Sequence, residues 1–311
     1  MKKVFFIGDV ALDEYYSAPY WPVLKDKVLL RTLEPQMGGS IANAACVYAA
    51  FGNSASFLTA LKPSELSHKL CEGLNDVGID TSHMVWDDSL PESKCMIILT
   101  EGEHVVLICT LDLQEMEISK TAFDELKSSD YIYSTFCELR PLRHGGMGAA
   151  DTLAKIRAGG CKVWCDLDVA ELRDGDDALF DCTDVLFVNE TGLLRLTDFA
   201  KADAAKWLFD KGVSLFVLTR AEDGCTLFEP GKKPVNVPTA KVSAVDVTGA
   251  GDTFCSAFLH AKTCGLSSFD CAVFANCCAA RAVTGHGARY GAAQLSSVRK
   301  FAKEHEISLP L

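Results

Sequence analysis

The chain has 311 residues, of which 49% are apolar and 23% charged, and its formal net charge is −12 at pH 7. A chain of this length buries a large core, and its acidic surface argues against nucleic acid or an anionic membrane as the main partner. No apolar stretch approaches the roughly 18 residues of a membrane-spanning helix, and the apolar run before Asp9 is too short for a signal peptide.

Short apolar runs predict strands and helical spacing predicts helices along most of the chain. The predicted strands are residues 4–7, 56–59, 131–134, 162–165, 185–188, 215–218 and 225–228. The predicted helices are residues 41–51, 65–77, 121–126, 147–158, 200–210, 253–263, 269–283 and 295–305. Strands that alternate with helices indicate an α/β fold with a parallel sheet covered on both faces, whose ligands bind beyond the carboxyl ends of the strands.

Two segments interrupt this alternation. Residues 18–37 contain three prolines, and residues 94–100 and 104–110 predict a hairpin with a tight turn at Glu101-Gly102-Glu103. We expect residues 14–37 and 93–110 to form a small β lid on an α/β catalytic domain of residues 1–13, 38–92 and 111–311. The alternative is that the hairpin extends one edge of the main sheet.

The 14 cysteines are scattered through apolar stretches, and no two of them form a C-x-x-C pair. This distribution is typical of buried, reduced thiols in the cytosol and not of a disulfide framework. We therefore expect a cytoplasmic protein.

Residues 246–265, DVTGAGDTFCSAFLHAKTCG, combine two glycines and two acids with the start of a helix. Unpaired N–H groups and the positive end of the helix dipole at Gly249 and Gly251 suit an anion. Asp252 does not suit that role, because its carboxylate repels an anion. On its own, Asp252 is better explained as the N-cap of the helix.

A second polar group follows the first predicted strand. Gly8-Asp9 and Asp13 come after it, and Gly38-Gly39-Ser40 opens the next helix, with Asn43 one turn inside. Acids, an amide and small residues at set positions suit a ligand with several hydroxyls. A tight loop with an N-cap explains the glycine pair alone equally well.

Together the two stretches resemble the signatures of the ribokinase-like (PfkB) family of carbohydrate kinases. The first signature is GGSIANAA, from Gly38 to Ala45, and the second is DVTGAGDTF, from Asp246 to Phe254. The resemblance implies a three-layer α/β/α sandwich with a mostly parallel central sheet and a small β-strand lid. It also implies a kinase that uses ATP and Mg²⁺, in some members with K⁺, and that forms a homodimer through the lid.

The resemblance further implies roles for individual residues. Asp252 is the base for the attacking hydroxyl, and the backbone of Gly249, Ala250 and Gly251 is the anion hole, in keeping with a reaction dominated by positioning and charge stabilisation. The implied sugar contacts are Asp13, Gly38, Gly39, Asn43 and Glu138. The implied nucleotide contacts are Asn189, Thr219, Gly224 and Asn276. A monovalent-cation loop of the family is matched by Asp246 and Thr248, together with the backbone of residues 282–291.

Some of these assignments leave alternatives open. Glu138 is explained equally well as a solvated loop acid. Asp166 and Asp168 follow a strand and reach Mg²⁺ through water or lie in a surface turn.

The chain departs from the family pattern at Gly192, where a glutamate is common, and at Ala221, where the nucleotide turn has its first glycine. These departures leave the phosphate donor open. They also leave two other functions open. One is a nucleoside kinase with Tyr15, Tyr16, Tyr20 and Trp21 around a base, and the other is a degenerate binding protein without activity.

Overall fold

The structure is a computed structural model that describes residues 2–101, 103–167 and 172–311. Its strands are β1 (Val4–Ile7), β2 (Ala11–Ser17), β3 (Arg31–Thr32), β4 (Gln36–Gly38), β5 (Ala55–Leu58), β6 (Ala60–Leu61), β7 (Ile79–Asp80), β8 (Val85–Trp86), β9 (Lys94–Thr100), β10 (Glu103–Ile108), β11 (Met116–Glu117), β12 (Tyr131–Thr135), β13 (Leu142–Arg143), β14 (Lys162–Asp166), β15 (Val185–Val188), β16 (Leu215–Thr219), β17 (Cys225–Phe228) and β18 (Val235–Val237). Its helices are α1 (Ser40–Ala50), α2 (Glu65–Asn75), α3 (Lys120–Ser128), α4 (Phe136–Leu139), α5 (Ala149–Arg157), α6 (Asp177–Phe180), α7 (Glu190–Ala200), α8 (Ala204–Asp210), α9 (Ala250–Thr263), α10 (Ser268–Ala282) and α11 (Leu295–Glu304).

The central sheet has nine strands in the order β18-β17-β16-β15-β14-β12-β1-β5-β7. Neighbours from β16 to β7 are parallel, whereas β17 is antiparallel to both β16 and β18 at one edge. Every residue of β1 and β15 is buried, as in a sheet covered on both faces. Val4 and Phe6 enter one apolar core, and Phe5 and Ile7 enter the other. The predicted α/β fold with a mostly parallel sheet is confirmed.

A second, smaller sheet has the order β10-β9-β2-β3, and β4 also pairs with β2. Strand β9 runs parallel to β2, with Asp13 opposite Cys95, so the hairpin joins this sheet and not an edge of the central one. Strand β2 carries Asp13 and was not predicted as a strand. The predicted turn residue Gly102 lies outside the described residues.

Several helices differ from the prediction, among them the short helices α4 and α6, which were not predicted. Helix α7 was not predicted, because Thr191 and Gly192 lower the helical propensity of its first turn, yet Asn189 caps it by accepting from the N–H of Gly192. Helix α9 begins at Ala250, three residues before the predicted start. Its glycines belong to the helix start and not to the loop before it.

All 14 cysteines lie in the described part of the chain and are free thiols, most of them buried. In residues 2–101, 103–167 and 172–311, no helix combines the length and apolar character needed to cross a membrane.

Candidate active site

The site lies where the first turns of α1 and α9 meet beyond the carboxyl ends of β1, β12 and β14. The two helices pack together, and the hydroxyl of Ser256 donates to the carbonyl of Ala44 at 2.6 Å. Strand β1 leads to Asp9, β12 leads to Glu138, and β14 ends at Asp166. The fold therefore gathers these three acids and the helix starts of both signatures at one edge of the sheet.

Asp252 is the third residue of α9, and the N-cap is Gly249. The interpretation of Asp252 as an N-cap is therefore wrong. Its carboxylate instead faces α1, where Oδ1 accepts from the hydroxyl of Ser40 at 2.7 Å and Oδ2 accepts from the Nδ2 of Asn43 at 3.0 Å. Two donors from the first signature thus orient the acid of the second.

Asp9 holds the start of α1 from the neighbouring loop. Its two carboxylate oxygens accept from the backbone N–H groups of Ser40, at 2.9 Å, and Ile41, at 3.0 Å. Desolvation raises the pKa of Asp9, and these two N–H groups oppose that rise. The helix start that carries Ser40 and Asn43 is in this way tied to β1.

Asp13 is buried and lies against the glycine pair. A Cβ on Gly38 would overlap its carboxylate, so only glycine leaves room for it there. Gly39 is the N-cap of α1 at φ 96°, a backbone region that favours glycine. Burial, with the nearby charge of Asp9, raises the pKa of Asp13 to about 6. The carboxylate is therefore mostly ionised at neutral pH and can accept from a hydroxyl.

Glu138 is half-buried beside Gly8, at the entrance to the same site. A Cβ on Gly8 would lie 3.0 Å from the Cγ of Glu138. Desolvation and the charge of Asp9 raise the pKa of Glu138 to about 8. The group is therefore mainly protonated at neutral pH and can donate as well as accept a hydrogen bond.

The backbone from Gly249 to Gly251 forms the turn that opens α9. Gly249 has φ 73°, and a Cβ there would overlap the carbonyl of Ala288. The N–H of Ala250 donates to the carbonyl of Val247 at 3.2 Å. Within the described residues, the N–H groups of Gly249 and Gly251 have no such backbone partner, and the space beside Gly251 is open.

Asp246 and Thr248 lie in the loop before this turn. The carboxylate of Asp246 accepts from the N–H of Thr248 and from the N–H of Gly287, both at 2.9 Å. Burial acts to raise the pKa of Asp246, but these N–H bonds outweigh it and leave the pKa lowered. The carboxylate thereby joins the loop to residues 285–291.

The predicted nucleotide contacts fall into two groups. At the ends of β15 and β16, Asn189 is exposed, and the hydroxyl of Thr219 donates to the carbonyl of Val188 at 3.3 Å. Gly224 and Asn276 both lie against residues 237 and 238: a Cβ on Gly224 would overlap the carbonyl of Val237, and the buried amide of Asn276 donates to that carbonyl at 2.9 Å. The amide of Asn276 is thus already engaged within the protein.

The chain matches the model of the pfkB family carbohydrate kinases over residues 1–294. The chain belongs to this family. It is 26% identical over 305 residues to a ribokinase of Haemophilus influenzae, covering 93% of this chain and 94% of that protein. It is 27% identical over 282 residues to the bifunctional protein HldE of Shewanella amazonensis, of which it spans only 56% of the length. The solved structure of Arabidopsis thaliana ribokinase complexed with ribose and ATP matches 97% of this chain, and 98% of that one, with a TM-score of 0.83 at 23% identity.

Membership of the pfkB family makes the chain a phosphotransferase that acts on a sugar hydroxyl. The two departures from the family pattern have structural counterparts. A Cβ on Gly192 would lie 2.7 Å from the carbonyl of Leu167, so a glutamate would require that contact to move. Ala221 has φ 43°, in the left-handed region that glycine tolerates better.

Sequence reasoning missed three residues of the pfkB site as the structure builds it. Asp9, Ser40 and Arg289 received no role, although each bonds to the first signature or to Asp252. For Ser40 a signal was present, since it stands inside the GGSIANAA motif. Asp166 is half-buried, with its Oδ2 3.7 Å from the thiol of Cys255 on α9, and Asp168 lies outside the described residues.

Proposed function

We propose that the chain transfers the terminal phosphoryl group of ATP to a hydroxyl of a sugar or sugar derivative, with Asp252 as the base. The observation that supports this most is the position of Asp252, between two donors of α1 and the open helix start at Gly249. As the acceptor oxygen attacks phosphorus, its proton passes to Asp252, the bond from phosphorus to the bridging oxygen breaks, and ADP leaves. A negative charge is stabilised at the positive end of a helix, which suits a carboxylate that acts as a base.

The backbone of Gly249, Ala250 and Gly251 serves as the anion hole for the transferring phosphoryl group. Backbone N–H groups at a helix start stabilise charge that develops on the phosphoryl oxygens. The N–H of Ala250 already donates to Val247, so the two glycines carry most of this role unless that turn opens. The open space beside Gly251 leaves room for the group.

The sugar binds at Asp13, Gly38, Gly39, Asn43 and Glu138. The ionised Asp13 accepts from sugar hydroxyls, while the mainly protonated Glu138 donates to a sugar oxygen. Asn43 already donates to Asp252, so its free capacity for a sugar is small. It contributes chiefly by keeping the base beside the acceptor hydroxyl.

ATP binds across Asn189, Thr219, Gly224 and Asn276, with Asn276 acting through the backbone that it holds at Val237 and Pro238. Within the described residues, no group of three or more His, Cys, Asp or Glu side chains is placed to hold a metal ion. Mg²⁺ keeps several waters and is carried largely by nucleotide phosphates, so it needs few protein ligands. Asp166 would contact the water shell of the ion, which when bound would supply charge neutralisation for the phosphates.

A monovalent cation such as K⁺ binds at the loop of Asp246 and Thr248. The support is that Asp246 joins this loop to residues 285–291 at the base of the anion hole. Comparing rates in potassium chloride and in choline chloride at equal ionic strength tests this site. Equal rates in the two salts would remove it from the proposal.

The small sheet, with residues 14–37 and 93–110, acts as a lid over the sugar and as the surface through which two copies associate in the cytoplasm. It carries exposed apolar side chains, with Leu24 and Leu29 each 94% exposed and Ile108 60% exposed. Apolar side chains at such exposure are typical of a surface that a partner covers. Analytical ultracentrifugation tests this, because replacing Leu24, Leu29 and Ile108 with serine should shift a dimer to a monomer.

A thermal-shift panel of sugars and nucleosides, followed by turnover of each hit with MgATP, tests the function. We expect a sugar to be phosphorylated, and Asp252→Asn to lower kcat by about 10²- to 10⁴-fold with ligand binding retained. Near wild-type turnover in that variant would remove Asp252 from the mechanism. Binding without turnover in the wild type would favour the degenerate alternative.

The nucleoside alternative depends on Tyr15, Tyr16, Tyr20 and Trp21, most of which are exposed or bonded to another side chain. Tyr20 and Trp21 are each 43% exposed, and the hydroxyl of Tyr16 donates to Glu14 at 3.2 Å. Tyr15 is half-buried, and burial together with the nearby charge of Asp13 raises its pKa to about 12. A single aromatic residue beside a sugar-binding acid favours a sugar, and turnover of a nucleoside in the panel would reverse this choice.

A further inference from the structure

Arg289 lies in the segment after α10, and its side chain reaches the start of α1. Its Nε donates to the Oδ1 of Asn43 at 3.3 Å, and a terminal nitrogen of the guanidinium donates to the carbonyl of Gly38 at 3.4 Å. The side chain is half-buried. Its partners are thus the first signature, 246 residues away from it along the chain in the case of Asn43.

Asn43 is buried between two charged groups of opposite sign. Its Nδ2 donates to the carboxylate of Asp252, and its Oδ1 accepts from the guanidinium of Arg289. Turning the amide round would place its oxygen against a carboxylate and its NH₂ group against a cation. Because both contacts would then be repulsive, the two charges hold the amide in one orientation.

The segment that carries Arg289 is itself anchored to the start of α9. The N–H of Gly287 donates to Asp246, and the carbonyl of Ala288 lies where a Cβ of Gly249 would be. The guanidinium therefore starts from the same structural unit that presents Asp252. Movement of this segment would therefore shift Asn43 and, through it, the carboxylate of Asp252.

We infer that Arg289 is a positioning residue for Asp252 and acts through Asn43; this inference rests on the proposed role of Asp252 as the base. With Arg289 in place, Asn43 bonds one oxygen of the carboxylate and Ser40 bonds the other, which fixes the orientation of the carboxylate. Without the guanidinium the amide can rotate, and the carboxylate loses its alignment. The loss should affect kcat more than the KM of either substrate.

The test compares Arg289→Met with Arg281→Met. Arg281 donates to the carbonyl of Tyr290 at 2.9 Å and stacks on its ring, so it supports the same segment without reaching Asn43. We expect Arg289→Met to lower kcat by about 10- to 100-fold with both KM values within about threefold of wild type. Added guanidinium ion should restore part of kcat, and Arg281→Met should keep more than about half of it.

Two kinetic results would overturn the inference. A raised sugar KM with unchanged kcat would make Arg289 a substrate contact, and an equal loss of kcat in Arg281→Met would assign the effect to the segment as a whole.

If the wild type phosphorylates no sugar, the proposed function fails, and urea unfolding then tests the role of Arg289 independently. The changes in the free energy of unfolding caused by Arg289→Met and by Asp252→Asn should then not add up in the wild-type background, and they should add up in the Asn43→Ala background. Additivity in both backgrounds would overturn the inference.

Discussion

Gly249 and Gly251 stand two residues apart in the proposed anion hole, yet the structure predicts opposite effects of the same methyl group. At Gly249, φ is 73° and a Cβ would overlap the carbonyl of Ala288. A left-handed backbone costs a residue with a Cβ about 1–2 kcal/mol, and overpacking against the rigid carbonyl adds about 1–3 kcal/mol. We therefore expect Gly249→Ala to lower the free energy of unfolding by about 2–5 kcal/mol.

Gly251 is the second residue of α9, and no atom lies within 4 Å of the position that a Cβ would occupy there. Replacing a helical glycine by alanine removes flexibility from the unfolded chain, so Gly251→Ala should be more stable than wild type by about 0.5–1 kcal/mol. Its methyl group points into the open space that the phosphoryl group is proposed to occupy. A displacement of that group by about 1 Å lowers the rate by about 10²-fold, so kcat should fall although stability does not.

Urea unfolding and steady-state kinetics on the same two preparations measure both quantities. If Gly251→Ala keeps full kcat, the phosphoryl group does not bind against this backbone. Equal stability of the two variants would show that the segment of Ala288 does not pack on Gly249 as described.

Three further predictions concern the sugar site and the two departures from the family pattern. With a pKa of about 6, Asp13 loses its charge as the pH falls, so at pH 5 the kcat/KM for the sugar should be about tenfold below its value on the high-pH plateau. If Asp13→Asn showed the same fall in kcat/KM at low pH, the fall would not come from Asp13. Ala221→Gly should raise the free energy of unfolding by up to about 1 kcal/mol, because the backbone of Ala221 is strained at φ 43°. The control Ala158→Gly, at a right-handed helix end, should lower the free energy of unfolding by about 0.5–1 kcal/mol. Equal changes in the two variants would show that Ala221 is not strained. Gly192→Glu should lower the free energy of unfolding by about 1–3 kcal/mol, because its side chain would press on the carbonyl of Leu167. A variant that is as stable as wild type and needs less Mg²⁺ would instead show that the position accepts a metal-binding acid.

The predicted strands of the central sheet agree with the structure because their buried apolar runs carry a strong local signal. Strand β1 and strand β15 were predicted with their observed ends. Strand β2 was missed because Asp13, Glu14 and two tyrosines give no clear alternation, and its pairing with β9 is a long-range contact.

The site shows the same division between local and distant information. The start of α9 and the glycine pair before α1 were visible in their own segments. The bonds from Ser40 and Asn43 to Asp252 join positions more than 200 residues apart, since their separations are 212 and 209. No local pattern predicts which side chains meet across such a distance, and Arg289 was missed for that reason.

The order of strands in the central sheet has a consequence for how the protein is made. Strand β1 is synthesised before the other strands of this sheet, yet it lies between β5 and β12, and Tyr131, the partner of Val4, is synthesised much later. Until then one edge of this fully buried apolar strand lacks its final neighbour, and unpaired apolar edges invite aggregation. Asp252 follows all nine strands of this sheet in the chain, so a nascent chain can complete much of the sheet before it acquires the proposed base.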